Sequence, residues 1–569
     1  MSEGDARPRW LIALRALPLV LGALHVGFFM YVVVQRFVVP VELEWMSGGV
    51  WDHVERIQQG KPLYAPPSAE FIAYLYPPLH YWLSALVAHA MPIPQACRVV
   101  SVVATLVTAA CVFRATKTLG ATRYWALVAT ALYVGAYSIT GSWYDLDRSD
   151  SLLTAMLGAA FVVALESEGA LGAAIAGALL GGAFLAKQPA TVFFGAAFVA
   201  LVLARRFKQA GALLAGGLCV LVPAVAILSA KTDGWFWFYC VKMPASHGID
   251  KSLVTVFFVL DASKMFAVFG AACAIVARFG AQLLRAREVA LDKRDALFGA
   301  MVAASFFTSM TSRLHAGGFV NVLMFLTTFG AIALAVGCAR LLAAKPNARA
   351  LEAVLYGVVA LQLVHYLYDP GEAAPTSSRA RDAQIVADRI HALEQRGEVV
   401  VPGRGHLTEP RHFHAMALLD VLRAGAPVPA DLRAGLEARR YEAYVVDEMG
   451  ELGFEAVLGH RSELFELVTR NYFVAQRLDD REPPPVVGWI AHPSWIFRAR
   501  KTPLTTMTPE QLDRRLKIEM GLAEMRMRTV QAGARKVDDG DDLESLAAAA
   551  DSASASAAPN RPDPAITSP

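Results

Sequence analysis

The sequence predicts a mainly α-helical, polytopic membrane protein that carries a small α/β domain near its C-terminus. Of its 569 residues, 55% are hydrophobic and only 18% are charged, whereas a soluble domain carries about 25% charged residues. Apolar runs of helical length follow one another from Leu17 to Tyr368. After Tyr368 the sequence turns polar, and helical and extended patterns alternate. This composition excludes a wholly soluble domain, a disordered chain and a collagen-like protein.

About eleven apolar runs account for the membrane part, residues 1–368. A spanning helix needs about 20 mainly apolar residues, with about 17 as the usual minimum, and several runs are shorter. The predicted spans are residues 16–35, 97–113, 125–141, 151–165, 170–186, 190–204, 211–229, 255–277, 296–311, 319–339 and 351–368.

The loops between the runs give the orientation. Basic loops mark the cytoplasmic side of a membrane protein, and placing all four basic loops there agrees with eleven spans. The first run has no small-residue cleavage site, so we expect an uncleaved anchor with a cytoplasmic N-terminus. The basic loops are residues 114–123, 205–208, 278–294 and 340–349.

One apolar segment is left out of the count. Residues 76–92 are short for a span, begin beside Pro77 and Pro78 and contain two histidines. A span here would move the first basic loop to the outside. We therefore interpret the segment as an interfacial or re-entrant helix within the outer loop 36–96.

The polar third of the chain divides into three parts. Residues 379–500 are expected to form an extracytoplasmic α/β domain. Residues 501–534 contain an amphipathic helix that starts with a capping box at Thr508, and residues 535–569 have the composition of a disordered tail. Within the domain we predict helices at 380–395, 413–424 and 430–439 and strands at 398–401 and 443–446, and we interpret His406, His412 and His414 as surface histidines.

Charge and cysteine content exclude several functions. The net charge is +3, from 53 basic and 50 acidic residues, which is too balanced for a dedicated nucleic-acid binder. The six cysteines form no CxxC pair and mostly lie in apolar runs, where cysteine behaves as a small hydrophobe. No Walker loop, GxSxG or HExxH motif is present. We expect no nucleic-acid partner and no metal site.

The candidate chemistry gathers in the outer loops. Ionisable groups near a bilayer are costly and point to function, and five outer segments contribute them. A carboxylate can take the proton from an attacking hydroxyl, and arginine or lysine can neutralise a phosphate that leaves. The candidates are Glu42, Glu44, Tyr64, Asp145, Asp147, Arg148, Asp150, Lys187, Lys242, Arg313, His315 and Asn321.

Each candidate also has an ordinary interpretation. A loop carboxylate such as Glu44 is usually only solvated. Arg148 lies between acidic residues and would be worth little in an exposed ion pair, and Lys187 is placed to reach the membrane surface. Trp235 and Trp237 fit an interfacial aromatic belt better than a platform for a sugar.

Several short motifs resemble a known superfamily. A glutamate soon after the first span, followed by GKPLY, YPPL and a second outer loop with DLDRSD, resembles the polytopic GT-C glycosyltransferases. These include the protein O-mannosyltransferases and the aminoarabinose transferases. The motifs ELEWM, FLAKQ and SRLHAGGFVNVLM are similar to one uncharacterised bacterial subgroup. The resemblance covers residues 10–340.

The resemblance implies a multi-pass enzyme of the cell inner membrane. It implies that a sugar passes from a polyprenyl phosphate to a lipid, glycan or protein acceptor on the periplasmic face, with inversion. An acidic residue of the first outer loop is the implied base. The family often has an adjacent acidic pair there, whereas Leu43 separates Glu42 from Glu44, so Glu44 is the first choice and Glu42 stays open. Arg148 and Asp150 take the place of the family's second-loop residues, and Asp150 is the third catalytic candidate. Lys187 and Arg313 are the candidate phosphate contacts, and His315, Lys242 and Tyr64 of the outer loops are further candidates for substrate binding.

Two other classes stay open. A transporter or flippase of lipid-linked sugars would show repeated spans and charges near the midplane, whereas the sequence shows no repeat and the charges gather at one face. A scaffold with a decayed site fits less well, because the carboxylates and Arg148 are intact. For the enzyme we expect no required cofactor, since these groups serve a phosphate with or without a divalent ion. The outer domain, 379–500, is expected to rim the site and help choose the acceptor, and membrane lipids are the remaining partner.

Overall fold

The chain folds into two units. The computed structural model describes residues 8–39, 41–285, 290–315, 317–447, 462–478, 486–489, 493–531 and 544–549. The first unit comprises Met1–Pro66, Ala73–Ala380 and Pro485–Ile490, and the second comprises Pro67–Ile72, Arg381–Pro484 and Ala491–Pro569. The chain therefore passes from one unit to the other five times.

Helices build the first unit. Each predicted span falls on helical structure. Several short helical pieces precede the helix that begins at Phe266, and they include the π-helical stretches Phe238–Lys242 and Val256–Asp261. The longer helices are α1 (Arg9–Val38), α2 (Ser47–Gln58), α3 (Leu79–Val87), α4 (Ile93–Thr118), α5 (Arg123–Gly135), α6 (Asp150–Glu166), α7 (Ala170–Ala183), α8 (Ala190–Leu203), α9 (Phe207–Lys231), α10 (Phe266–Arg285), α11 (Lys293–Leu314), α12 (Met324–Ala344) and α13 (Arg349–His365).

The apolar surface of these helices shows a membrane protein. In α9 only 11% of the apolar window is buried within the protein, and Val222 and Ile227 are 54% and 53% exposed. Apolar surface of this extent is stable in lipid but not in water. The predicted class, a polytopic helical membrane protein with a small sheet domain, is confirmed.

Only some of the helices in the first unit have the full length of a membrane span. Among the described residues, five helices are long and apolar enough to cross a membrane, or six if one bent pair after residue 349 counts as a single span. Helices α5, α7 and α8 have 13, 14 and 14 residues, and a 14-residue helix is only about 21 Å long. Residues 76–92 hold α3, whose nine residues are too few to span. The five are Arg9–Val38, Ile93–Thr118, Phe207–Lys231, Phe266–Leu284 and Val320–Ala344.

The second unit contains a four-stranded sheet. Its strand order is β1-β2-β4-β3, with the first pair parallel and the other two pairs antiparallel. The strands are β1 (Val399–Val400), β2 (Ala443–Val446), β3 (Tyr472–Arg477) and β4 (Trp495–Ala499), and the helices of this part of the chain are α14 (Ser377–Glu394), α15 (Ala415–Arg423), α16 (Ala430–Glu437), α17 (Glu463–Asn471) and α18 (Pro509–Gln531).

Both faces of this sheet contribute to the apolar interior. Val386 and Ile390 of α14 pack against Val445, and Leu522 of α18 packs against Phe473 of β3. The amphipathic helix predicted within 501–534 therefore belongs to the same unit as the sheet. The predicted helices and strands of 379–446 coincide with α14, β1, α15, α16 and β2, whereas α17, β3 and β4 were not predicted.

Two expectations for the second unit are wrong. His412 and His414 are 3% and 5% exposed rather than on the surface, because His412 lies against Glu398 with Nε2 and Oε1 3.3 Å apart and the His414 ring caps α15. Residues 544–549, within the predicted disordered tail 535–569, are helical, and Arg515 Nη2 donates to the carbonyl oxygen of Glu544. The rest of that tail lies outside the described residues.

Candidate active site

Glu44 is a buried carboxylate in the loop between α1 and α2. It is 4% exposed, and its Oε2 lies 3.4 Å from Arg148 Nη1. The same oxygen accepts a hydrogen bond from the backbone N–H of Met46 at 3.1 Å. The carboxylate is therefore held by a cation and by the turn that leads into α2.

Arg148 joins Glu44 to an aromatic pair. Its Nη2 donates to the hydroxyl of Tyr76 at 2.8 Å, and its guanidinium lies 5.0 Å from the Tyr76 ring and 5.8 Å from the Trp143 ring. Cation–π contacts at these distances favour a charged guanidinium. Because Arg148 is only 7% exposed, the second outer loop presents a fixed, desolvated cation.

A second ion pair also lies close to the Tyr76 ring. Lys187 Nζ is 2.7 Å from Asp150 Oδ1, and Asn321 Nδ2 donates to that same oxygen at 2.8 Å. Lys187 Nζ also lies 5.3 Å from the Tyr76 ring. The ring thus has two cations, Lys187 and Arg148, against it, and it links the two ion pairs into one cluster.

The surroundings of Glu44 increase the proton affinity of its carboxylate. Burial raises the pKa of its carboxyl above the ordinary value, while the Arg148 guanidinium opposes part of that rise. Nearby Asp147 and Asp150 push the pKa further up. A carboxylate with a raised pKa is a stronger base than an ordinary glutamate, which is the property that general-base catalysis uses.

Two neighbouring carboxylates of the second outer loop serve the fold. Asp145 Oδ1 pairs with Arg36 Nη1 of α1 at 2.7 Å, and Asp147 Oδ1 lies 3.5 Å from Arg98 Nε of α4, all four groups being almost fully buried. Arg98 also donates to the carbonyl oxygen of Val41 at 2.6 Å. These pairs fix the loops that carry Glu44 and Arg148. Within the acidic run DLDRSD, Asp145 and Asp147 therefore have a structural role, whereas Arg148 and Asp150 belong to the candidate site.

The structure separates the two candidate bases. Glu42 Oε1 accepts a hydrogen bond from the backbone N–H of Gly48 at 2.8 Å, which satisfies the start of α2. Glu44, by contrast, contacts Arg148. Tyr64 is buried, and its hydroxyl donates to the carbonyl oxygen of Tyr76 at 2.8 Å. Tyr64 therefore holds the backbone of Tyr76 in place.

The other three predicted substrate contacts have different partners. Arg313 Nε pairs with Asp261 Oδ2 at 2.9 Å, and the rings of His315 and His247 are 4.7 Å apart. Lys242 is exposed, with its ammonium 5.8 Å from the Phe238 ring. A role for these three in substrate binding stays a prediction.

Sequence reasoning missed several members of the cluster. Tyr76 begins the motif YPPL and Trp143 lies two residues before DLDRSD, but aromatic residues gave no specific chemical signal there. Gly488 was missed as well. Its only local signal is the run of three prolines that precedes Val486.

Whether the site uses a metal ion stays a question for experiment. Among the residues that the structure describes, no group of three or more His, Cys, Asp or Glu side chains is placed to hold one. The cluster offers Glu44 and Asp150, each already paired with a cation. A phosphate group can be neutralised here by arginine and lysine without a metal.

The fold and the site together define a polytopic helical membrane protein with a buried, charge-paired cluster at one end of its helices. No protein-family model and no curated protein matches the chain. Two solved structures of ArnT from Cupriavidus metallidurans are similar in fold. ArnT is a GT-C glycosyltransferase.

The two matches have similar statistics. The structure bound to undecaprenyl phosphate is 12% identical, covers 87% of this chain and 99% of ArnT, and has a TM-score of 0.47. The apo structure is 12% identical, covers 86% and 97%, and has a TM-score of 0.49. These values describe a distant likeness of fold alone.

Proposed function

We propose that this chain is an inverting membrane glycosyltransferase that takes a sugar from a polyprenyl-phosphate donor. The observation that supports this most is the buried pair of Glu44 and Arg148, 3.4 Å apart. Transfer from a sugar phosphate needs a base for the acceptor hydroxyl and a cation for the departing phosphate. Both lie side by side here, and Lys187 adds a second cation close to the Tyr76 ring.

Each group has a defined role in the proposed reaction. Glu44 takes the proton from the acceptor hydroxyl while that oxygen bonds to the anomeric carbon of the sugar. The bond from this carbon to the phosphate oxygen breaks on the opposite face, so the configuration inverts. The electron pair leaves with the polyprenyl phosphate, and Arg148 and Lys187 stabilise the negative charge that develops.

Asp150 fits a positioning role better than that of a base. One of its oxygens already accepts hydrogen bonds from Lys187 and Asn321. Its carboxylate therefore holds the ammonium in place. This leaves Glu44 as the carboxylate assigned to proton transfer.

We place the site on the periplasmic side of the inner membrane, with the acceptor a lipid, a glycan or a protein. Glu44 follows the C-terminal end of α1 and Asp150 begins α6. The basic loop 114–123 joins the C-terminal end of α4 to the N-terminal end of α5. Basic loops are cytoplasmic. The site and the basic loops thus lie at opposite ends of the helices, with the C-terminal domain assigned to the periplasm.

The test compares two single-atom changes in the purified protein. Wild type, Glu44→Gln and Glu42→Gln are placed in nanodiscs with radiolabelled undecaprenyl-phosphate sugars and a membrane extract as the acceptor source. We expect transfer by the wild type and a loss of about 10²- to 10⁴-fold in Glu44→Gln at an unchanged melting temperature. Glu42→Gln should stay within a few-fold, because its amide oxygen can still accept from Gly48.

The other outcomes are equally informative. A larger loss in Glu42→Gln than in Glu44→Gln would move the base. If no donor gives transfer but reconstituted vesicles carry the same lipid across the bilayer, the protein is a transporter and the proposal is wrong.

A further inference from the structure

The site contains a segment from the C-terminal third of the chain. We propose that residues 486–489 form the acceptor-side wall of the site and that Trp489 binds a sugar ring of the acceptor. The role assigned to Trp489 rests on the proposed function, whereas the wall rests on geometry alone. The proposed acceptor is therefore a lipid or glycan whose accepting hydroxyl belongs to a sugar.

Backbone pairing fixes this segment to the loop that carries the base. The N–H of Val487 donates to the carbonyl oxygen of Leu43 at 3.0 Å. Glu44 and Val487 form an isolated parallel β-bridge, and both belong to the first unit. A bridge of this kind sets the position of the Glu44 backbone.

Gly488 lies directly against the carboxylate side chain. A Cβ atom at this position would be 2.9 Å from Glu44 Cγ, 3.4 Å from Glu44 Oε1 and 3.5 Å from the Trp143 ring. Its φ of +84° is also a conformation that only glycine adopts without strain. Close approach and backbone angle both require glycine, so residues 486–489 are fitted to Glu44 rather than merely near it.

The proposed reaction assigns a side to this wall. A base that deprotonates the attacking hydroxyl must lie on the acceptor side, opposite the departing phosphate. Of the residues around Glu44, the uncharged ones therefore border the acceptor, whereas the cations Arg148 and Lys187 serve the phosphate. Residues 486–489 belong to the first group.

Trp489 supplies the surface that such an acceptor needs. It is 60% exposed, and its Cα lies about 3.8 Å from that of Gly488. Aromatic rings bury large apolar areas at binding sites while the indole N–H stays available for a hydrogen bond. The apolar face of a sugar ring matches both properties.

The first experiment separates acceptor from donor binding. Transfer in nanodiscs is titrated with membrane extract at saturating undecaprenyl-phosphate sugar, and then with donor at saturating extract. We expect Trp489→Ala to raise the half-saturating amount of extract roughly tenfold and to leave that of the donor unchanged. Trp489→Phe should stay within about twofold of wild type.

A matched control and an opposite result make this decisive. Trp10 is exposed to a similar degree, 56%, and lies at the start of α1, so Trp10→Ala should change neither value. A rise in the donor value in Trp489→Ala, or no change in either value, overturns the assignment of Trp489 to the acceptor.

The second experiment tests the wall without any activity. Hydrogen–deuterium exchange is compared between wild type and Gly488→Val. We expect faster exchange in peptides covering 41–47 and 486–489 and no change in peptides of α18. Unchanged exchange at 41–47 overturns the wall. Faster exchange there, in a protein whose wild type transfers no sugar, supports the wall while the proposed function fails.

Discussion

Glu44 and Arg148 illustrate how two buried groups depend on each other. A general base acts in its deprotonated form, and burial raises the pKa of Glu44. We therefore expect kcat/KM to rise with pH on the acid side of the profile. The midpoint of this acid limb should lie above 4.5, the ordinary pKa of glutamate. Because the Arg148 guanidinium lowers this pKa, Arg148→Gln should move the limb to higher pH.

The measurement is a pH–rate profile of both proteins at constant ionic strength. Arg114 is an exposed arginine paired with Glu166, so Arg114→Gln serves as the control and should leave the limb in place. A limb at or below 4.5, or one that Arg148→Gln does not move, would contradict the assignment of Glu44.

Tyr76 offers a second residue-scale prediction, because its hydroxyl and its ring have separate contacts. Tyr76→Phe removes the hydrogen bond from Arg148 but keeps the ring close to both cations. Tyr76→Ala removes both. We expect Tyr76→Phe to lower kcat/KM a few-fold and Tyr76→Ala to lower it by about a further tenfold. Equal losses in the two variants would show that the ring has no role.

The residues of the site could be predicted only in part. The sequence correctly brought Glu44, Arg148, Asp150 and Lys187 together, because ionisable groups at helix ends of one side must share the little polar space available. It could not find Gly488, since the reason for that glycine is a carboxylate from the first outer loop. Such a contact leaves no trace in local sequence.

At the scale of elements, buried ion pairs hold the loops to the helices. Arg36 of α1 and Asp145 are 1% exposed each, and Asp145 Oδ1 also accepts from the Tyr137 hydroxyl at 2.8 Å. Removing one partner of a buried pair leaves an uncompensated charge and costs about 3–5 kcal/mol. We expect Arg36→Met to lower the melting temperature markedly.

The double variant tests whether the pair itself is responsible. In Arg36→Met with Asp145→Asn no buried charge is left over, so part of the stability should return. Glu166→Gln, in the exposed pair with Arg114, is the control and should change the melting temperature little. A double variant less stable than either single variant would argue against this explanation.

Secondary structure was predictable where it follows from hydropathy or local pattern. Apolar runs located the helices of the first unit, and several of these helices, such as α7 with 14 residues, are shorter than a full span. Strands β3 and β4 escaped prediction because each is defined by pairing with the other. Pairing between distant strands is a tertiary property that periodicity alone does not carry.

At the scale of the whole molecule, orientation in the membrane is the property to measure first. Ser246 and Lys117 are exposed, and the proposed topology places them on opposite sides. In spheroplasts, a membrane-impermeant maleimide should label Ser246→Cys directly but Lys117→Cys only after permeabilisation. The wild type, with six native cysteines, provides the background. The reverse pattern would place the site in the cytoplasm.

The five crossings of the chain between its units affect how this protein can be divided. Residues 485–490 belong to the first unit, while the residues on either side of them belong to the second. Deleting 379–500 would thus remove Gly488 and Trp489 together with the soluble domain. One proteolytic nick at any of these crossings would release neither unit. In recombination between relatives, the C-terminal third cannot be inherited as an independent cassette, because the residues that pack against Glu44 would travel with it.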